Sequence, residues 1–227
     1  MNDMSDVPME TIRADFDRLA HLDADGWSHN SHYHPFLLRQ LPPRLDTALE
    51  IGCGRGAFAR LLADRARQVV ALDLSNEMIR LASDASAAYP NIEYRQGDIL
   101  EWEVPAEAFD CVAAIATLHH IPLEPVLRKV KDTLKPGGML LVLDLYQAHT
   151  ALDYIWGAAG IPASRLTRLL KTGWQRPSHE AQEAWAAHGQ HDSYLTLGQV
   201  RAAAAGLPGA QVRRHLLWRY SLVWRKP

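Results

Sequence analysis

The chain has 227 residues, with 24 Lys and Arg against 26 Asp and Glu and a formal charge of -2 at pH 7. That length suits one large domain, or one domain carrying a sizeable insertion, and it can bury a core without disulfides or metal. Near-neutrality leaves no broad cationic field for nucleic acid or anionic lipid, which disfavours a dedicated nucleic-acid binder. Cys53 and Cys111 each stand alone in apolar runs and read as small buried thiols rather than a bridge. The acidic opening "MNDMSDVPMETIRADFDRLA" lacks an apolar signal core, and no run approaches the length of a bilayer span. The expectation is a soluble cytoplasmic protein.

In chain order, residues 10–25 and about 31–40 read as helices, the second stopped by the prolines ending at Pro43. "DTALEI" is then a short apolar run halted by glycines and followed by the helical "GAFARLLADRA". "QVVALDL" leads to "SNEMIRLASDASAA", where Ser75 suits an N-cap and Glu77 the first turn. "NIEYRQGD" and "FDCVAAIAT" are the third and fourth runs. "EPVLRKVKDTLK" is a helix ended by Pro136-Gly137-Gly138, and "MLLVLDLY" is a fifth run. Nearly continuous apolar strands alternating with amphipathic helices imply a parallel sheet covered on both faces. After Tyr146 the alternation breaks. Residues 147–195 read as an inserted mix of helix and loop, "LGQVRAAAAGL" as a returning helix, and the end as two strands turning near Trp218-Arg219.

The sharpest motif is "LEIGCGRGAFA", in which Gly52, Gly54 and Gly56 lie between a strand and a helix, where the backbone turns tightly and can approach a ligand. Asp73 ends the second strand, where an acid can accept both hydroxyls of a ribose. Asp98 ends the third, where an acid can accept from an adenine amino group. Singly, each acid is only a first polar residue after a strand. Together, three strand ends facing one crevice describe a nucleoside site.

The segments "ALEIGCGRGAFA", "VVALDLSNEMIRLA", "GDI", "FDCVAAIATLHHIP" and "LKPGGMLLVLDLY" resemble, in order and spacing, the class I S-adenosylmethionine-dependent methyltransferases. The resemblance spans residues 46–146 and extends to the terminal hairpin. It implies a Rossmann-like, doubly wound α/β sheet of seven strands ordered 3-2-1-4-5-7-6, with strand 7 antiparallel. Residues 1–45 would form a helical lid, 147–195 a substrate cap, and 196–227 the last helix and closing hairpin. The resemblance further implies S-adenosylmethionine as cofactor, with Gly52, Gly54 and Gly56 along its methionine part and Glu50 beneath the loop. Asp73 would hold the ribose, Leu74 and Met78 border the adenine, Asp98 and Ile99 bind its edge, and Ile115 approach through its backbone. An NAD-type dehydrogenase shares the glycine turn and the ribose acid. Its spacing is G-x-G-x-x-G, however, and it needs a second half for which too little chain remains.

Methyl transfer asks for a nucleophile aligned with the sulfonium, and a phenolic acceptor is helped by a general base. His119 and His120 in "TLHHIP", just past the fourth strand, are candidates, as are His191 and Asp192 in "AWAAHGQHDSYLT", which also carries Trp185 and His188. A packed turn and a polar loop are the plain alternatives. The ubiquinone-pathway O-methyltransferases carry metal-binding acids at the positions of Ala116 and His119; this chain has neither, and no metal is expected. In "WSHNSHYHPFLL", His29, His32 and His34 lack zinc-like spacing, and Pro35 interrupts a helix through them. That stretch reads as part of the lid, with Trp27, Asn30, Tyr33 and His34 meeting cofactor or substrate. The expected partner is a small-molecule methyl acceptor offering an oxygen or nitrogen nucleophile, with carbon as the further alternative. An RNA or protein acceptor, suggested by the basic end at Arg213, Arg214, Arg219, Arg225 and Lys226, and a non-catalytic cofactor-binding regulator are the competing readings.

Overall fold

A computed structural model describes residues 8–22, 28–172, 178–190 and 192–227. Its centre is a sheet built from β1 (Leu45–Ile51), β2 (Ala66–Asp73), β3 (Ile92–Gln96), β4 (Phe109–Ile115), β5 (Leu134–Leu145), β6 (Gln211–Arg214) and β7 (Arg219–Arg225). The strand order is 3-2-1-4-5-7-6, with every pair among the first five strands parallel and β7 antiparallel to both β5 and β6. This is the expected fold.

The apolar runs are continuous because both faces are covered. Successive side chains point to opposite sides, so Leu49 and Ile51 of β1, Val112 and Ala114 of β4, and Leu140 and Val142 of β5 join one core. Helices α5 (Leu123–Thr133) and α8 (Leu197–Ala203) cover that face through Val126, Leu127, Val130, Leu197 and Val200. Ala48, Val69, Ala71, Cys111, Ala113, Leu141 and Leu143 face the other way, onto Phe58, Ala59 and Leu62 of α3 (Ala57–Ala63) and onto Tyr33, Leu37 and Leu41. Cys53 and Cys111 are free and buried.

The N-terminal helices are shorter than the sequence pattern suggested. Helix α1 spans Met9–Ala20, and residues 23–25 lie outside the described structure. Around Pro35, residues Ser31–Tyr33 form a 3-10 turn that hands over to the five-residue α2, His34–Leu38. Helix α4 (Asn76–Ala85) begins as expected, with Ser75 Oγ accepting from Met78 N–H at 3.0 Å.

Two differences lie in the last third. Residues 151–172 form one 22-residue helix, α6 (Ala151–Thr172), which passes through Pro162, and α7 spans His179–His188, so the insertion is more regular than expected. The hairpin turn comes earlier, because Leu217 and Trp218 take left-handed φ of 61° and 57° and Arg219 is already in β7. Helix α6 seats against that turn through small residues: a Cβ on Gly157 would lie 3.1 Å from Trp218 Nε1, and one on Gly160 would lie 3.3 Å from Leu217 N. No helix among the described residues is long and apolar enough to cross a membrane.

Leu141 has no exposed surface and sits in the second strand from the centre of the parallel set. Leu141→Ala should cost about 2–5 kcal/mol of unfolding free energy, read as a shifted urea midpoint with an unchanged slope.

Candidate active site

Strands β1 and β4 are neighbours, but the chain leaves them for opposite sides of the sheet, which opens a crevice at their carboxyl ends. The glycine turn after β1 fills one wall. Gly52, Gly54 and Gly56 all take left-handed φ, at 68°, 50° and 74°. A Cβ on Gly52 would stand 2.2 Å from Thr117 Oγ1, and one on Gly56 would stand 2.3 Å from the Tyr94 hydroxyl, whereas one on Gly54 would meet nothing within 4 Å. The first and third glycines admit their neighbours; the middle one faces open space.

Carboxylates gather beneath this turn. Asp73 Oδ2 accepts from Gly54 N–H at 2.8 Å and Oδ1 from Ser75 N–H at 2.9 Å, tying the ends of β1 and β2 together. Burial raises its pKa to about 6; the two N–H donors oppose this, and Asp17 adds to it. Glu50 is 2 % exposed and its Oε2 has no hydrogen-bond partner. Burial, and then repulsion from Asp73, lift it well above the ordinary carboxylate range. Such an oxygen suits a ligand that brings positive charge or donors. Asp98 Oδ1 accepts from Leu100 N–H at 2.7 Å, beside the buried Ile99. The Ile115 carbonyl accepts from Thr117 Oγ1 at 3.1 Å. The carbonyl of Leu74, a half-buried residue, accepts from Gln96 Nε2, and Met78 packs with Leu19 and Ala20 of α1 and with Ala184 of α7.

A second cluster lies past β4. The 3-10 turn Leu118–His120 presents His119, whose Nδ1 is 2.6 Å from Asp144 Oδ1 and whose backbone N–H donates to Oδ2 of the same residue at 3.0 Å. Burial works against the charged ring, but Asp144 and then Asp192 outweigh it and hold His119 above its usual pKa. His120 is pushed down to about 2, by burial and then by its neighbours His119 and His188. Asp192 Oδ1 stands 3.5 Å from His120 Nδ1, 3.5 Å from His188 Nε2 and 3.9 Å from His119 Nε2, and the Tyr194 hydroxyl donates to Oδ2. Three successive residues of α1 join the two groups. Asp15 contacts His188 Nδ1 at 3.2 Å, Phe16 packs edge-on against His120 and His188, and Asp17 accepts from Ser75 Oγ at 2.6 Å.

The histidine-rich segment before β1 is engaged elsewhere. Asn30 Oδ1 accepts from Arg219 Nε at 2.7 Å, the Tyr33 hydroxyl donates to the Leu216 carbonyl, and His34 packs on Phe58. Burial, only partly offset by Arg219, moves Tyr33 up to about 12, and burial moves His34 down to about 4. These contacts fix the segment to the hairpin turn, while α1 is the element that reaches the strand-end acids. Trp27 and His191 lie outside the described residues. Asp15, Asp17, Thr117, Asp144 and Tyr194 were not singled out from sequence. Only Asp144 carried a signal, since "LDLY" after β5 repeats the strand-end acid of "LDLS" after β2. An open hollow of about 570 Å³ near Arg201, Pro208 and Arg213 sits at the α8–β6 edge, among none of these acids.

A wound sheet of this order with a glycine turn and an acid-lined carboxyl rim defines the class I methyltransferase architecture. Residues 49–142 match the family described as "Methyltransferase domain". The chain is 31% identical over 203 residues to an uncharacterized methyltransferase of Mycobacterium tuberculosis, covering 88% of this chain and 98% of the relative. It is also 31% identical over 192 residues to a malonyl-[acyl-carrier protein] O-methyltransferase of Halalkalibacterium halodurans, covering 75% and 70%. In fold it is similar to the N-methyltransferase NodS of Bradyrhizobium japonicum, solved with S-adenosyl-L-homocysteine: TM-score 0.61, 18% identity, 94% of this chain and 98% of that one. The chain belongs to the S-adenosylmethionine-dependent methyltransferases. The unpaired Glu50 oxygen and the open face of Gly54 fit that cofactor, which brings an ammonium, a sulfonium and a ribose diol.

Gly52→Ala should destabilise the fold both through the Thr117 clash and through a left-handed backbone penalty of roughly 1–2 kcal/mol. Because the Thr117 Cβ itself would lie 2.8 Å from the new methyl, the double variant Gly52→Ala/Thr117→Gly is the one that removes the clash alone, and urea unfolding should show a positive coupling between the two sites. Strict additivity would mean that the two residues do not press on each other.

Proposed function

We propose that this methyltransferase acts on a nucleophilic oxygen or nitrogen of a small molecule held under a roof formed by α1 and the 147–195 cap. The reading is carried by the Asp15-Phe16-Asp17 triplet, which closes the cofactor rim and the histidine cluster under one helix. In this reading Gly52, Gly54, Gly56 and Glu50 take the methionine part. Asp73 takes the ribose hydroxyls, Leu74 and Met78 border the adenine, Asp98 and Ile99 receive its edge, and the Ile115 backbone approaches the cofactor. His119, His120 and Asp192 bound the acceptor side. The bound sulfonium supplies an already activated methyl group. The chain's own task is then to hold the acceptor about 3 Å away, in line and dry, an alignment that can contribute roughly 7–11 kcal/mol.

A small acceptor is favoured because the rim is roofed and the basic end of the chain is engaged by the protein itself. Arg219 donates to Asn30, Arg214 pairs with Asp153 at 2.5 Å, Arg213 donates to Gln211, Arg225 to the Gly137 carbonyl, and Lys226 to the Leu134 carbonyl. Of these five, Arg219 is buried and Arg214 and Lys226 face the carboxylates of Asp153 and Glu107. Among the described residues, only Arg213 and Arg225 of the five then offer an exposed charge without a facing acid, which is little for an RNA substrate. Exposed Leu152, Ile155, Leu166 and Leu170 on α6 suit an apolar acceptor or carrier. The names of relatives point the same way, among them a ubiquinone biosynthesis O-methyltransferase of Xanthomonas axonopodis, 31% identical over 160 residues, which cover 66% of this chain and 65% of that one.

Incubating the protein with isotopically labelled methyl donor and a metabolite extract should yield a labelled small product by mass spectrometry. Label appearing only in RNA or protein would refute the reading. Ionised oxygens accept the ribose hydroxyls best, so affinity for S-adenosylhomocysteine should rise as pH climbs through about 6 and level off above it. Asp73→Asn should weaken binding and flatten that calorimetric profile between pH 5 and 7.5; an unaltered profile would remove the ribose assignment. The same shift acts oppositely on the ligand-free fold. Its contribution is present at low pH and is lost as pH rises from the ordinary carboxylate range through about 6.

A further inference from the structure

We propose that His119, His120, His188 and Asp192 form a binding site for one first-row divalent cation of the zinc type, which clamps the cap to the sheet rim. The donor atoms of His119, His120 and Asp192 all lie within 4.8 Å of one another. His188 Nε2 is 3.5 Å from the same Asp192 oxygen that His120 and His119 face at 3.5 and 3.9 Å. A tetrahedral zinc ion with ligand bonds of about 2.0–2.1 Å sets its donors roughly 3.3 Å apart, so the first three donors would close in on the ion and His188, which faces only Asp192 at that range, would swing in as the fourth.

Three features distinguish this cluster from a solvated polar loop. The four side chains are only 7, 4, 3 and 7 % exposed, in the order His119, His120, His188, Asp192. Both ring nitrogens of His120 and Oδ1 of Asp192 are buried without a hydrogen-bond partner, although buried polar atoms are ordinarily satisfied. The outer contacts also orient the donors. Asp144 contacts Nδ1 of His119 and Asp15 contacts Nδ1 of His188, so each carboxylate favours the tautomer that turns an Nε2 lone pair inward. Tyr194 engages Asp192 Oδ2 and leaves Oδ1 facing the rings. Three imidazoles and one carboxylate suit zinc, and less well iron or nickel; magnesium prefers oxygen ligands.

The ligands explain the clamp. His119 and His120 follow β4 in the core, whereas His188 ends α7 and Asp192 follows it in the cap. One ion would therefore cross-link the turn after β4 to the end of α7 and the residues after it. The site shares the position of His119 with the acid pair of the ubiquinone-pathway enzymes but has no ligand at Ala116 and draws on His120, His188 and Asp192 instead, so the missing acids, which argued against a metal, do not bear on it. It does not depend on the identity of the methyl acceptor.

The test uses untagged full-length protein, stripped with chelator and titrated with zinc or magnesium by calorimetry, with bound metal counted by mass spectrometry. One zinc per chain and no magnesium are expected. His120→Ala and Asp192→Ala should each abolish stoichiometric zinc, and Asp144→Asn should weaken it roughly 10- to 100-fold. The exposed His179→Ala should bind as the parent does. Cobalt in place of zinc should give the intense visible bands of a tetrahedral site, and zinc should slow hydrogen exchange in 179–188. Binding of S-adenosylhomocysteine, measured on every variant, separates misfolding from ligand loss and reports on the transferase reading independently. Absence of stoichiometric zinc in the parent protein, or its retention by both His120→Ala and Asp192→Ala, would overturn the site.

Discussion

The crevice between β1 and β4 is the constraint on which the rest of the molecule depends. Parallel strands need crossovers, right-handed crossovers leave opposite faces on either side of the switch, and only there does the rim stay uncovered by the next connection. Every group of the site is an answer to that opening. The glycine turn narrows it from β1, Thr117 narrows it from β4, and the chain reaches His119 two residues later. The closeness of Gly52 to Thr117 thus couples the cofactor wall to the wall that carries the histidines.

The acids at this rim are held in a state that the fold alone does not favour. Glu50 and Asp73 repel each other in a buried setting, and each is raised above its usual pKa mainly by that burial. Backbone donors at Gly54 and Ser75 offset part of the cost for Asp73, but Glu50 keeps an oxygen without a partner. Buried polar groups are ordinarily satisfied, and the exceptions gather at functional sites. The arrangement makes the free protein less stable than its packing would allow, and in the proposed binding mode a cationic, hydroxyl-bearing cofactor would relieve that cost.

The sheet was legible in the sequence because fully buried strands leave continuous apolar runs, and the glycine turn and its acids because they sit at strand ends. The cap and lid were less so. Helix α6 runs through Gly157 and Gly160, which normally disfavour a helix interior, because those small residues let it approach the hairpin turn at Leu217 and Trp218, and it also passes through the exposed Pro162. The partnership of Asn30 with Arg219, 189 residues apart, leaves no periodicity to read. Of the residues before β1, the histidines are conspicuous in sequence, while Asp15 and Asp17 have the pattern of ordinary acids on an amphipathic helix. Their roles come from tertiary contacts with His188 and Ser75.

Helix α1 therefore carries more than its 12 residues suggest. It is packed through Leu19 and Ala20 against Met78 and Ala184, so one helix touches the element after β2 and the helix of the cap at once. Any displacement of α7 would disturb Phe16, then Asp17, and through Ser75 the turn that holds Asp73. The strand-end acid and α7 are in this way linked by direct contact rather than by a distant pathway. Under the proposed function such a linkage would be reciprocal: a ligand fixing Asp73 would also favour the packed position of α7, and α7 held in place would favour that ligand.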